Sequence, residues 1–233
     1  AAMQQNGFTG MEIAPTRIFP EYPYENLTGA ALFGGYLLNR WGFHVPSMQS
    51  IWYGQTGNIF DPVQAEELLD YTAEAFQFAH TINCPKNRRL DPPHTAAEGD
   101  AFFAKAGALA SHYDVVLAIE ANPPVYTNYL NNTADAFAMV KRLQSPGLAV
   151  NLDLSTMISN GERLRDFVDD IKYVSHVHIS EPGLEPIVPR QEHKELAMLL
   201  KAVGYSGDVS IEMKRTDVET VRKTLAYIAE VFA

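Results

Sequence analysis

The stretch VSIEMK at 209–214 reads as a short strand carrying Glu212, a residue able to bind a metal, and three earlier stretches repeat the pattern. DVVLAIE at 114–120 ends on Glu120, LAVNLD at 148–153 on Asp153 and VSHVH at 174–178 on His178. Successive ligand-type residues stand 33, 25 and 34 positions apart. That is close to the roughly 30 residues a strand–helix–strand crossover needs. Four Glu/Asp/His side chains at four strand ends, one unit apart, predict a TIM-type (β/α) barrel, whose sites gather at the C-terminal ends of its strands.

The 233 residues are enough for one such barrel or one doubly wound domain, and a single domain over 1–233 is expected. An apolar content of 46% is that of a globular protein and not of a disordered one. The net charge of −10 offers no broad basic field for phosphates, which argues against nucleic acid as the partner. The single cysteine, Cys84, excludes an internal disulfide and fits a reducing, cytoplasmic compartment. No run of about 18 apolar residues is present, so no membrane span is expected. The opening AAMQQNGF lacks the charged and apolar regions of a signal peptide.

Those first eight residues read instead as the tail of a helix with Gly7 at its C-cap. The barrel is therefore expected to lack its first strand. A strand at 9–14 (TGMEIA), a helix over Leu27–Trp41 and a strand at 43–50 follow. Asp61-Pro62-Val63-Gln64 is a helix start, with Asp as N-cap, Pro at the first helical position and Gln placed to complete a capping box. NCPKNRRLDPPH at 83–94 reads as a Pro-broken loop, so a second strand is expected to be absent near residue 84. Thr95-Ala96-Ala97-Glu98 opens the next helix, and strands and helices then alternate to the C-terminus. A barrel short of two strands would expose unpaired edges, which favours a homo-oligomer.

Period-2 alternation gives the ligand strands a common polar face. Ala118 and Glu120 oppose Leu117 and Ile119; Asn151 and Asp153 oppose Leu152; His176 and His178 oppose Val177; Ser210 and Glu212 oppose Val209 and Ile211. Three carboxylates and two histidines buried together demand compensation. One divalent cation supplies it, and an oxygen-rich set with one imidazole suits Mn²⁺, Mg²⁺, Co²⁺ or Zn²⁺. The competing explanation is ordinary strand-end polar groups neutralised by Lys214, Lys172 or arginines.

The series LAIEANPP, NLDLSTM, HVHISEP and SIEMKR resembles the xylose-isomerase-like (β/α)₈ superfamily. That group holds sugar isomerases and epimerases, including ketose 3-epimerases and hydroxypyruvate isomerase, and also zinc-dependent abasic-site endonucleases. The resemblance runs from about Gly10 to the end and implies that Glu120, Asp153, His178 and Glu212 hold one metal. It also implies that Glu120 and Glu212 are the acid–base pair, one on either face of the substrate. The expected activity is isomerisation or epimerisation of a sugar or sugar phosphate by 1,2-proton transfer through an enediolate. The alternatives are a metal-dependent phosphodiester hydrolase of the endonuclease type and a non-catalytic metal-binding barrel subunit. Thr156 stands where many epimerases and the endonucleases carry His, and Arg190 follows His178 by twelve residues. The first departure removes a ligand that the multi-zinc endonucleases need.

Six further residues are candidates for substrate contact. Glu12 would face the mouth from the first strand. Gln49 and Trp52 would form a sugar-binding wall. His176 would hydrogen-bond a ligand or the substrate. Lys86 belongs to the one tight basic group and would take a phosphate. Glu181 lies on the loop after His178, where a lid would be.

Overall fold

The alternation of apolar runs with capped helical segments becomes a parallel sheet wrapped by helices. A computed structural model of the chain describes residues 2–84, 86–89, 96–125 and 129–233, the side chains of 86–89 and 96–98 excepted. Among these, α1 (Ala2–Gln5), α2 (Pro15–Ile18), α3 (Leu27–Trp41) and α4 (Pro62–Thr81) precede β1 (Lys86–Arg89). Then come α5 (Ala96–His112), β2 (Val116–Glu120), α6 (Thr133–Leu143), β3 (Leu148–Asp153), α7 (Leu154–Asn160), β4 (Val174–Ser180), α8 (Gln191–Ala202), β5 (Asp208–Glu212) and α9 (Val218–Val231). A 3₁₀ segment, Leu164–Tyr173, leads into β4.

The five strands are parallel and lie side by side in chain order, β1 to β5. A doubly wound sheet reverses its strand order at a switch point; this one does not, and its wall curves on as a barrel does. Two extended segments continue the wall at the N-terminal side, joined by parallel bridges Gly10↔His44 and Ile13↔Met48. Between residues 7–12 and 207–213 the wall is open. A groove of about 540 Å³ runs there, lined by Phe8, Met11, Val209, Ile211 and Leu225.

The second expected gap is corrected. Residues 86–89 form β1 and pair with β2 from Lys86↔Val116 to Arg89↔Ile119. KNRR has no apolar alternation to announce a strand. What makes it one is the row of backbone donors and acceptors on the edge of β2, which need partners.

Local chemistry fixes the helices. Asp61 caps α4, accepting from the amides of Val63 and Gln64 at 3.0 Å each. Gln64 does not close a capping box; its carbonyl oxygen accepts from Asn58 N instead. Thr95, the expected cap of α5, lies outside the described residues. The apolar faces of β2 to β4 bury Leu117, Ile119, Val150, Leu152, Val177 and Ile179 against the helices. Their other faces are thereby turned to the barrel interior. Burying an aliphatic side chain of this kind is worth roughly 1.5–3 kcal/mol.

The loop after β4 is pinned from below. Arg190 donates from Nε to both oxygens of Glu181, at 2.8 and 2.7 Å, and its amide donates to the Tyr227 hydroxyl of α9. The same hydroxyl lies 3.0 Å from Nδ1 of His193, which is fully buried. Burial holds the His193 imidazole below its ordinary value. The folded state therefore resists a proton that the unfolded chain accepts at about pH 6.5, and stability should be lost as pH falls below that point. Denaturation midpoints at pH 7.5 and 5.5 should differ more for the native sequence than for His193→Gln. An equal loss in both would remove His193 as the cause.

Candidate metal centre

Strand pairing brings the ligand-type residues of β2, β3, β4 and β5 to neighbouring heights on the wall. Glu120 pairs with Asn151, Asp153 with His178 and Ser180 with Glu212. Glu120 and Asp153 are each only 4% exposed, and His178 is fully buried. Ligand atoms of Glu120, Asp153 and His178 all lie within 4.8 Å of one another, a group that could hold a metal ion. Glu212 joins through His178: its Oε2 is 3.2 Å from His178 Nδ1, and Glu120 Oε2 is 3.6 Å from the same nitrogen. Ligand atoms about 2.1 Å from a shared ion stand about 3.0–3.4 Å apart by trigonometry. Glu212 at 3.2 Å lies inside that range and Glu120 at 3.6 Å just outside it, so small side-chain adjustments would seat a cation between them.

Each carboxylate is positioned by neutral donors. Asn151 Nδ2 donates to Glu120 Oε2, and Asn122 Nδ2 lies 3.4 Å from Oε1. Asp153 ends β3 and caps α7: Oδ1 accepts from Thr156 N at 2.7 Å and Ser155 Oγ at 2.6 Å, and Oδ2 accepts from Ser180 Oγ at 2.6 Å. Oδ1 of Asp153 has both lone pairs taken, whereas its Oδ2 accepts one bond and keeps a lone pair that an ion could use. The helix cap and the candidate ligand are thus one residue, since α7 starts where β3 stops. The lysines that could have neutralised the cluster turn elsewhere. Lys214 pairs with Glu185, and Lys172 Nζ sits 5.3 Å from the Tyr173 ring centroid.

Below this level lies a second polar layer. Glu12 Oε2 is 2.8 Å from His178 Nε2 and 3.8 Å from His176 Nε2. His176 Nε2 is flanked by the hydroxyls of Ser47 at 3.2 Å and Ser210 at 3.0 Å. Burial acts to raise the Glu12 carboxyl, but the charge of His178 and hydrogen bonds from His176 and His178 outweigh it and hold the group well below the usual carboxylate range. Glu12, His176 and His178 form a second group of metal-ligating type.

The expected substrate residues divide. Glu12 and His176 are inside, in this lower layer. Gln49 lines the open groove beside Glu12. Trp52 is not a wall of the mouth: it is buried in the core, with Nε1 donating to Thr72 Oγ1 at 2.7 Å and its ring edge-on to Phe102. The burial of its indole between α4 and α5 outweighs any exposed role. Glu181 is buried and engaged by Arg190, so it anchors the loop. Lys86 lies on β1, with its side chain outside what is described. Ser47 and Ser180 are neighbours of the site with no signal in the sequence, and Asn151 and Ser210, placed on the polar strand faces, were given no role there. For Asn151 the signal was available, as it shares a strand face with Asp153. Thr156 is spent structurally: its hydroxyl donates to Ala121 O at 3.0 Å.

With this geometry in hand, comparison with known proteins gives a family. The model of the xylose isomerase-like TIM barrel matches residues 1–231, and the chain belongs to that family. Among solved structures it is similar to a D-psicose 3-epimerase with D-tagatose from Clostridium cellulolyticum H10. The TM-score is 0.80 at 12% identity, covering 99% of this chain and 90% of that one. It is similar to 3-keto-D-glucoside 4-epimerase from E. coli, with a TM-score of 0.77 at 18% identity, covering 97% and 91%. It is also similar to a family 2 AP endonuclease from Brucella melitensis, with a TM-score of 0.75 at 21% identity, covering 97% and 89%. These likenesses show the shared barrel. No curated protein matches the chain in sequence. Among the described residues no helix is long and apolar enough to cross a membrane.

A divalent cation offered at about 100 times its Kd should add about 2.7 kcal/mol of stability. For a chain of this size that is a Tm rise of about 5–10 °C, reversed by a chelator. Asp153→Asn should abolish the rise in a thermal melt; an undiminished rise in that variant would exclude Asp153 as a ligand.

Proposed function

We propose that this barrel is a divalent-metal-dependent isomerase or epimerase acting on a sugar or sugar phosphate by 1,2-proton transfer. The observation that carries the reading is the placement of Glu120 and Glu212. They come from strands separated by two others, yet both reach the same nitrogen of His178. The sugar epimerases among its structural neighbours support the same reading.

Glu120, Asp153, His178 and Glu212 are the residues that would hold the ion. When bound, a divalent ion polarises a substrate carbonyl and so acidifies the adjacent C–H. The rest falls to the chain. A carboxylate beside the carbon removes its proton, and a second carboxylate returns one. Return to the opposite face of the same carbon inverts it, whereas return to the neighbouring carbon interconverts aldose and ketose. The Glu212 side chain is 12% exposed and that of Glu120 is 1% exposed, so Glu212 is the one an incoming substrate meets first. Asn151 and Asn122 hold Glu120 in place as amides, fixing its orientation while leaving its charge for proton transfer.

The endonuclease alternative draws no support from Thr156, whose buried hydroxyl is committed to Ala121 O.

Glu120→Gln and Glu212→Gln should each cut turnover by at least about 10²-fold, read as solvent deuterium entering a panel of ketoses. A near-normal exchange rate in either variant would remove that residue from the acid–base pair.

A further inference from the structure

We propose that Glu12 is a positioning residue: its carboxylate holds the Nε2 proton of His178 and so aims the unprotonated Nδ1 into the metal centre. The inference rests on the metal-centre reading above and adds to it a residue that the sequence assigned to substrate.

The geometry follows from the strand-like segment that carries Glu12. Ile13 N donates to Ser47 O at 3.2 Å and Gln49 N donates to Ile13 O at 2.9 Å, which fixes this segment against residues 44–48. Ile13 is buried on the core side, so Glu12, its neighbour, faces the interior. There Glu12 Oε2 meets His178 Nε2 at 2.8 Å, across 166 residues of sequence.

The two nitrogens of His178 face opposite environments. Nε2 lies 2.8 Å from a carboxylate oxygen of Glu12, a hydrogen-bond length at which the ring nitrogen donates and the carboxylate accepts. Nδ1 looks at Glu120 Oε2, Glu212 Oε2 and, at 3.4 Å, the amide Nδ2 of Asn151. Asn151 Nδ2 is a donor, and Nδ1 can accept from it only when it carries no proton. The shortest of these contacts, Glu12 at Nε2, sets the tautomer, and Nδ1 is then left for a cation that Glu120 and Glu212 would share with it. A histidine that gives one ring N–H to a carboxylate is a stronger and better-oriented ligand through the other nitrogen.

The rival use of these atoms is a second cation at Glu12, His176 and His178. Two observations favour the positioning role. The 2.8 Å separation is a direct hydrogen-bond length, and His176 Nε2 is already placed between two serine hydroxyls.

The test uses the full chain and its Glu12→Gln and Glu12→Leu variants, with Zn²⁺ as the probe. We expect one Zn²⁺ per native chain. Affinity should fall about 10–100-fold in Glu12→Leu at unchanged stoichiometry, with a smaller fall in Glu12→Gln, which keeps an acceptor. We also expect a downfield, carboxylate-bonded Nε2 proton of His178 in ¹⁵N-histidine spectra of the native chain, lost in Glu12→Leu. Unchanged affinity and an unchanged proton resonance in both variants would overturn the proposal. So would two Zn²⁺ per native chain falling to one in Glu12→Leu, which would assign the second cation site. If the native chain binds no Zn²⁺, the metal-centre reading fails, and the proton resonance alone decides the role of Glu12: its presence sustains the contact and its absence ends it.

Discussion

Carboxylates sunk into a barrel interior are the constraint from which the rest of this structure follows. Glu120 and Asp153 are almost wholly buried, Glu12 and Glu212 nearly so, and only two histidines share the space on the described strands. An ionised carboxylate without compensation costs several kcal/mol at such depth. The chain meets that cost in two layers. Amides and hydroxyls, from Asn151, Asn122, Ser155 and Ser180, fix the upper carboxylates without neutralising them. His178 stands between the layers and faces a carboxylate on either side of its ring.

The wall geometry makes this possible. Parallel strands in chain order present every second residue to the interior, and the register carries Glu120, Asp153, His178 and Glu212 to neighbouring heights. A one-residue slip in any strand would turn its ligand outward and bury the wrong face. The apolar residues between the ligands guard against that slip. Leu152 and Val177, packed against the helices, hold the register in which Asp153 and His178 point inward. Stability and site geometry therefore depend on the same alternation.

That alternation is also why the ligand strands were legible in the sequence. LAVNLD and VSHVH declare both their strand period and their polar face. The helix start at Asp61 was equally plain, an acid whose side chain accepts from the first-turn amides. The parts that stayed hidden depend on contacts across long separations. KNRR is a strand because β2 offers it an edge, and its own residues carry no such pattern. Trp52 looked like a sugar platform next to Gln49, but Thr72 and Phe102 draw it into the core. Glu181 sits where a lid would begin, yet Arg190, nine residues on, claims it. Glu12 could be placed in the interior from its strand, but its partner lies 166 residues away.

We propose that four strand ends converge on one cation through Nδ1 of His178. A crystal structure of the protein grown with Mn²⁺, with anomalous data collected at a wavelength where manganese scatters strongly, tests it most directly. One strong peak is expected, bonded to Glu120, Asp153, Nδ1 of His178 and Glu212, with Glu12 still hydrogen-bonded to Nε2. A peak seated between Glu12, His176 and Nε2 of His178, or no peak at these strand ends, would contradict it.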